Sequence, residues 1–223
     1  METFYTLQGE GFHQGKAAYF IRIGGCDVGC VWCDVKKSWD AHNHPILLVE
    51  EIVRKAVEIV TSTANPKISF HRQHLTSNIQ HPALSIWQPA SNICVITGGE
   101  PLLHNLDELT YQLHHANFQT HLETSGSSSL SGEWDWICLS PKKFKAPLPE
   151  ILPLANELKI IIYNRSDFDW AEKFAAQTSA NCKLYLQPEW SKISIIMPLI
   201  IDYIKQNSRW QLSLQIHKYI NVP

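Results

Sequence analysis

The sequence predicts an α/β chain whose largely parallel sheet curves into a partial barrel. Three observations carry this. Apolar runs alternate with helical patterns, the signature of βα units. No apolar stretch is long enough to span a membrane; the longest candidate, around Ile193 to Ile204, is broken by Ser194, Pro198, Asp202 and Tyr203. The chain has 223 residues and gives many to loops, whereas a closed eightfold barrel takes about 250. One domain over residues 1–223 is expected, with an irregular insertion at about 65–92.

In chain order, strands are expected over Ala17–Ile23, Ile93–Thr97, Gln119–Glu123, Trp136–Leu139, Glu157–Tyr163, Cys182–Gln187 and Gln211–Ile216. Each is a short apolar or alternating run. Helices are expected over Leu47–Thr63, Leu106–Asn117 and Phe168–Thr178, with another inside Ser191–Gln206. The second has Asn105 as cap and Glu108 three residues on, a capping-box pattern. Pro198 inside the last pattern predicts a late start or a kink. Residues Asn65–Asn92 carry His71, His74 and His81 without a period and read as a long excursion. Ser125–Glu133 is a Ser/Gly-rich loop, so the strands flanking it are expected to connect without a helix.

A net charge of −2 gives no electrostatic case for a nucleic-acid or membrane-surface partner. The start, METFYTLQGEGF, lacks a basic segment followed by an apolar run. The six cysteines are therefore expected as reduced thiols in the cytoplasm. Cys94, Cys138 and Cys182 fall on apolar strands and read as buried core thiols.

The other three cysteines carry the chemistry. Cys26, Cys30 and Cys33 form C-x3-C-x2-C within GGCDVGCVWCD, just after the first expected strand. Gly24, Gly25 and Gly29 let the backbone bend so that three thiolates can converge. Three thiolates leave one iron of a cubane cluster open, and an open position marks a reactive site. A closed zinc site with His42 or His44 as fourth ligand fits the same loop. A second constellation, CVITGGEPLL, is an apolar strand ending in Gly98-Gly99-Glu100-Pro101. Bare glycine backbone admits a ligand closely, and the carbonyls with the Glu100 carboxylate offer acceptors for an α-ammonium group.

With these two motifs the chain resembles the radical S-adenosylmethionine superfamily, including the aromatic Trp32 just before the last cysteine. TLQGEG, YFIRIGGC, CVWCD with Trp39, HLETSG, LSPK, LKIII, LQP and QIHKYINVP further resemble the 7-carboxy-7-deazaguanine synthase family. The resemblance implies a partial (β/α)6 barrel and a [4Fe–4S] cluster on Cys26, Cys30 and Cys33. It implies that S-adenosylmethionine chelates the open iron and is cleaved to a 5′-deoxyadenosyl radical. That radical takes hydrogen from C6 of 6-carboxy-5,6,7,8-tetrahydropterin; ring contraction and loss of ammonia give 7-carboxy-7-deazaguanine, a queuosine precursor.

The resemblance also implies site residues. Substrate contacts fall on Leu7, Gln8, Gly9, Glu10, Arg22, Thr97, His217 and Pro223. Arg22 is expected buried, with the substrate carboxylate as its bidentate partner; Gln8 and Glu10 suit a pterin edge. Cofactor contacts fall on Trp32, Cys33 and Asp34, on Gly99 and Glu100, on Thr124 and Ser125, on Ser140, Pro141 and Lys142, and on Gln187, Pro188, Glu189 and Trp190. The family has a hydroxyl residue after the CxWCD aspartate that ligates Mg2+. Here that position is Val35, which offers a hard cation no side-chain oxygen, so Mg2+ use is expected to be weak. A homodimer and a flavodoxin or ferredoxin electron donor are implied as well. Two other readings stay open: an activase of a glycyl-radical enzyme, or a non-enzymatic Cys3His zinc module.

Overall fold

A computed structural model describes residues 2–64 and 92–223; the expected excursion, with His71, His74 and His81, lies outside the described residues apart from Asn92. Among the described residues, eight strands form one sheet in sequence order: β1 Glu2–Leu7, β2 Ala17–Ile23, β3 Ile93–Gly98, β4 Gln119–Thr124, β5 Trp136–Leu139, β6 Glu157–Ile162, β7 Lys183–Pro188 and β8 Trp210–Leu212. β1 pairs antiparallel to β2, and every later pair is parallel. β1 and β8 are the two edges, so the barrel is open, as the chain length anticipates.

Helices α1 Val49–Ala64, α2 Asp107–His115, α3 Ser166–Ala175 and α4 Ile193–Gln206 cover one face. α2 packs on β4, α3 on β6, and α4 on β7 and β8. Side chains alternate along a strand, and the sheet uses this strictly. Ile96, Leu122, Leu139, Leu158, Ile160 and Leu186 point to the helices and are fully buried. The opposite, concave face carries Thr97, Glu123, Cys138, Lys159 and Gln187. β4 and β5 connect through a loop without a helix, as the Ser/Gly-rich segment predicts.

Four local features differ from expectation. β1 is a strand that the N-terminal sequence did not announce; its residues are half-buried or exposed because it is an edge. The expected strand Gln211–Ile216 stops at Leu212, and Ile216 opens a short helix, α5 Ile216–Ile220. Ser213 leaves the sheet there, its hydroxyl bonding Gln187 Oε1 at 2.6 Å and accepting the Gly11 amide at 3.0 Å. The capping box does not close. Asn105 Oδ1 accepts the Asp107 amide at 2.9 Å, but Glu108 bonds Gln112 Nε2 at 2.6 Å instead of reaching back. α4 begins at Ile193, ahead of Pro198, so the proline lies within the helix rather than delaying its start.

Candidate active site

The loops beyond the C-terminal ends of β2 to β7 meet over the concave face, where parallel α/β barrels place their chemistry. They enclose a cleft of about 250 Å³. Its upper rim is the cysteine loop. Gly25 and Gly29 adopt φ of 103° and 71°, conformations that side chains disfavour. The loop is pinned where Gly25 N donates to Ser38 O at 2.6 Å and Cys26 N to Trp39 O at 3.1 Å. It lies on the glycine turn after β3: Gly99 N donates to Ile23 O at 2.9 Å and Glu100 N to Gly25 O at 2.8 Å. A Cβ on Gly99 would strike Gly25 O and the Cys26 side chain, so glycine is required for this stacking.

Cys26, Cys30 and Cys33 all line the cleft and none is in a disulfide. Burial pushes the Cys26 and Cys30 thiols up, so a bound metal must drive their ionisation. The donor set suits iron–sulfur chemistry: three soft sulfurs from one loop. Among the described residues no three His, Cys, Asp or Glu side chains converge on a single-ion position, whereas the three thiols of a cubane cluster bind three different irons. His42 and His44 line a different groove, and His44 Nε2 is engaged with Lys37 O at 2.8 Å. Among the described residues, neither of these two histidines stands in the cleft as a fourth zinc ligand. Trp32 stacks on Tyr163 with ring centroids 5.5 Å apart.

Glu100 departs from its expected part. It is buried, and its carboxylate takes four donors from the chain itself. Oε1 accepts Thr124 Oγ1 at 2.5 Å and Leu102 N at 3.2 Å; Oε2 accepts Ser125 N at 2.8 Å and Ser125 Oγ at 2.5 Å. A carboxylate has about four lone-pair sites, so Glu100 here braces the turns after β3 and β4 rather than offering a free acceptor. Thr124 and Ser125 line the cleft as its partners.

Ser140, Pro141 and Lys142 follow β5. Lys142 is not a solvated surface lysine. Its Nζ donates to Ser140 O at 2.7 Å and Ser140 Oγ at 2.5 Å, it shares the cleft with the cysteines, and burial lowers its pKa. Gln187, Pro188, Glu189 and Trp190 form the wall after β7. Glu189 accepts Ser191 N and Oγ, and Trp190 meets Tyr219 edge-on at 5.3 Å. Asp34 accepts Lys218 Nζ at 2.6 Å, tying the cysteine loop to α5. Val35 lines the cleft, and its carbonyl already accepts Ser38 N and Oγ at 2.8 and 2.7 Å.

The floor is a charge network. Lys159 Nζ, on β6, bonds Glu10 Oε2 at 2.5 Å and lies 4.0 Å from Glu123 Oε2. Gln215 Nε2 bonds Glu10 Oε1 at 2.8 Å, and Gln8 Nε2 bonds Glu123 Oε1 at 2.9 Å. Burial would raise the Glu10 pKa, but the Lys159 charge and the bonds from Lys159 and Gln215 outweigh it and bring it down to about 2. Glu123 and Lys159 fall within HLETSG and LKIII, motifs that do not single them out as individual site residues. Lys159 stands as a lone charge in the apolar run of β6, whereas Glu123 lies in a mostly polar strand that carries no such signal.

The other expected substrate residues divide. Thr97 lines the cleft. Gly9 lets the His217 ring lie against its backbone, and Gly9 O accepts Ile216 N at 2.9 Å. Burial lowers the His217 pKa against the pull of Glu10. Arg22 pairs with Thr97 across β2 and β3 but is only partly buried. It lies over the Phe4 ring at 4.8 Å and bonds Glu2 Oε1 at 2.7 Å, outside the cleft lining. The expected burial of this guanidinium is thus not observed. Leu7 and Pro223 are exposed.

Comparison with known proteins follows this geometry. No protein-family model matches the chain. The 7-carboxy-7-deazaguanine synthase of Flavobacterium psychrophilum is 47% identical over 223 residues, covering 100% of this chain and 91% of that protein. The enzyme of that name from Synechocystis is 45% identical, and that of Escherichia coli K12 32%, each covering 99% of this chain. The crystal structure of QueE from Escherichia coli superposes with a TM-score of 0.70 at 27% identity, covering 96% of this chain and 91% of the other.

Proposed function

The chain belongs to the 7-carboxy-7-deazaguanine synthase family, and we infer its function from that membership together with the contents of the cleft. It is a radical S-adenosylmethionine lyase that converts 6-carboxy-5,6,7,8-tetrahydropterin to 7-carboxy-7-deazaguanine with release of ammonia. The observation that carries this reading is the meeting, in one cleft, of three free thiols, a glycine turn and a buried Glu10–Lys159 pair.

Cys26, Cys30 and Cys33 would hold a [4Fe–4S] cluster. When bound and reduced, the cluster supplies the electron that breaks the sulfonium C–S bond of S-adenosylmethionine. The chain supplies position. Gly99 exposes backbone to the methionyl end, while Glu100, Thr124 and Ser125 keep that backbone rigid. Lys142 presents a positive charge from beside Ser140 to the methionyl carboxylate, and the Gln187–Trp190 wall with Trp32 and Asp34 closes the cofactor side. Glu10, held ionised by Lys159, accepts donors from the pterin ring; Gln8 and the Leu7–Gly9 backbone fix that loop. Thr97 and His217 flank the carboxylate end. Arg22 exchanges Glu2 for the substrate carboxylate, a bidentate partner better suited to a guanidinium. Holding C6 in van der Waals reach of the abstracting carbon is the main contribution of these residues.

For Mg2+, Val35 offers no side-chain oxygen, its carbonyl is occupied by Ser38, and Asp34 is engaged by Lys218. Turnover is therefore proposed to depend weakly on Mg2+. The single-domain organisation, the homodimer, the cytoplasmic setting and a flavodoxin or ferredoxin donor complete the proposal. The test is anaerobic incubation of iron-loaded protein with reductant, S-adenosylmethionine and the carboxytetrahydropterin. Mass spectrometry should show 7-carboxy-7-deazaguanine; unchanged pterin from fully iron-loaded protein would overturn the assignment.

A further inference from the structure

Behind the floor of the cleft lies a second, smaller chamber of about 10 Å³, roughly the room one water needs. Glu10, Glu123 and Cys138 belong to both spaces and form the partition. On the far side stand His13, His121, Trp136 and Glu157. Glu157 is 3% exposed. Its Oε2 accepts Phe12 N and Trp136 Nε1, both at 3.2 Å, while its Oε1 has no protein partner among the described residues. Neither nitrogen of the His13 ring has one either. His13 is wedged between Trp136 and His121, with centroids 4.5 Å away on each side. Buried polar atoms left unpaired are costly, and small polar chambers bounded by them hold ordered water.

We propose that this chamber holds one ordered water between Glu157 Oε1 and the His13 ring, and that Glu157 is a positioning residue for the Gly9–Phe12 stretch that presents Glu10. The second half follows from what Glu157 grips. Phe12 hangs on its Oε2, Gly11 adopts φ of 64° directly against the carboxylate, and a Cβ at Gly11 would collide with it. The loop carrying Glu10 is thus fastened from below by an element of β6, two residues from Lys159, which holds Glu10 from the side. Burial keeps His13 and His121 neutral, with pKa values of about 4 and about 3, and raises that of Glu157. A neutral imidazole offers one donor and one acceptor. Glu157 uses Oε2 as the acceptor for Phe12 and Trp136 and turns Oε1 toward the chamber.

A glutamine keeps one oxygen to accept from Phe12 and Trp136 and a polar group toward the chamber; a leucine offers neither. A high-resolution crystal structure of the native protein should show a water within hydrogen-bond distance of Glu157 Oε1 and a His13 nitrogen. A dry chamber overturns the hydration claim. Hydrogen exchange at the Phe12 amide should be unchanged in Glu157→Gln and at least about tenfold faster in Glu157→Leu, the scale set by loss of a buried hydrogen bond. If leucine is not tolerated, Glu157→Gln alone decides: fast exchange there contradicts the proposal. The kinetic arm rests on the proposed function. KM for the pterin should rise about tenfold in Glu157→Leu with kcat nearly kept, and return with Gln. Fast exchange in Glu157→Leu combined with an unmoved KM would overturn the placement of Glu10 and leave the chamber standing, whereas slow exchange in that variant would overturn the grip of Glu157 on Phe12.

Discussion

The rim of the cleft and its floor are built in opposite ways. The rim, Gly24 to Trp39, is a short contiguous loop held by main-chain bonds from Gly25 to Ser38, from Cys26 to Trp39 and from Glu100 to Gly25. Its functional atoms, three free thiols, all line the cleft. The floor is assembled from the β1–β2 loop, β4, β6 and the tail before α5. Its functional atoms are already paired: Glu10 with Lys159 and Gln215, Glu123 with Gln8. The rim is organised to receive a metal that completes it. The floor is preorganised before any ligand arrives, so substrate meets dipoles and charges that need not reorient.

This contrast predicts where substitutions act. The largest effect belongs to the rim: Cys30→Ala should abolish turnover and the brown chromophore of anaerobically reconstituted protein, while the denaturation midpoint of the metal-free chain stays nearly unchanged. A large loss of metal-free stability would show that the rim is structural. Next is the floor. Lys159→Met leaves Glu10 buried without its cation and should cost about 3 kcal/mol of folding stability, measured by denaturant titration. It should also raise KM for the pterin. No stability change would mean that the pair does not hold the floor.

The Glu10 carboxyl gives the floor a pH signature. Its folded pKa, about 2, lies below the ordinary carboxylate value, so the unfolded chain binds the proton more readily. This stabilisation is full above the ordinary value and is lost as pH falls through the window down to about 2. Glu10→Gln should flatten the acid limb of the stability curve in that window; an identical limb in both proteins would contradict the charge network. Arg22→Ala should raise KM about tenfold and uncouple S-adenosylmethionine cleavage from product. Unchanged coupling would leave Arg22 as the Glu2 ion pair alone. The smallest effect is at Val35→Thr, which should strengthen the response of turnover to free Mg2+ by a few-fold. Equal steep dependence in both proteins would reject the weak-metal reading.

The same contrast explains what the sequence made legible. The rim is local, so spacing alone exposed it: three cysteines and their glycines lie in one decapeptide-scale run. The parallel strands were legible because the helix-facing residues, such as Leu158 and Ile160, make continuous apolar patterns. The floor was not, because pairing Glu10 with Lys159 joins positions far apart in the chain. Each charge alone reads as an interruption in a strand. Glu100 was legible as part of a motif but not in its role, since only folding brings Thr124 and Ser125 onto its oxygens. β1 and β8 are edge strands with mixed burial, where periodicity is weakest. His217 gained meaning only through the bare backbone of Gly9.

Spectroscopy of the reconstituted protein addresses the open-iron claim most directly. Anaerobically loaded protein should carry about four irons per chain, and its reduced electron paramagnetic resonance signal should change when S-adenosylmethionine is added. A signal indifferent to S-adenosylmethionine, or a colourless protein holding a single zinc, would contradict the account.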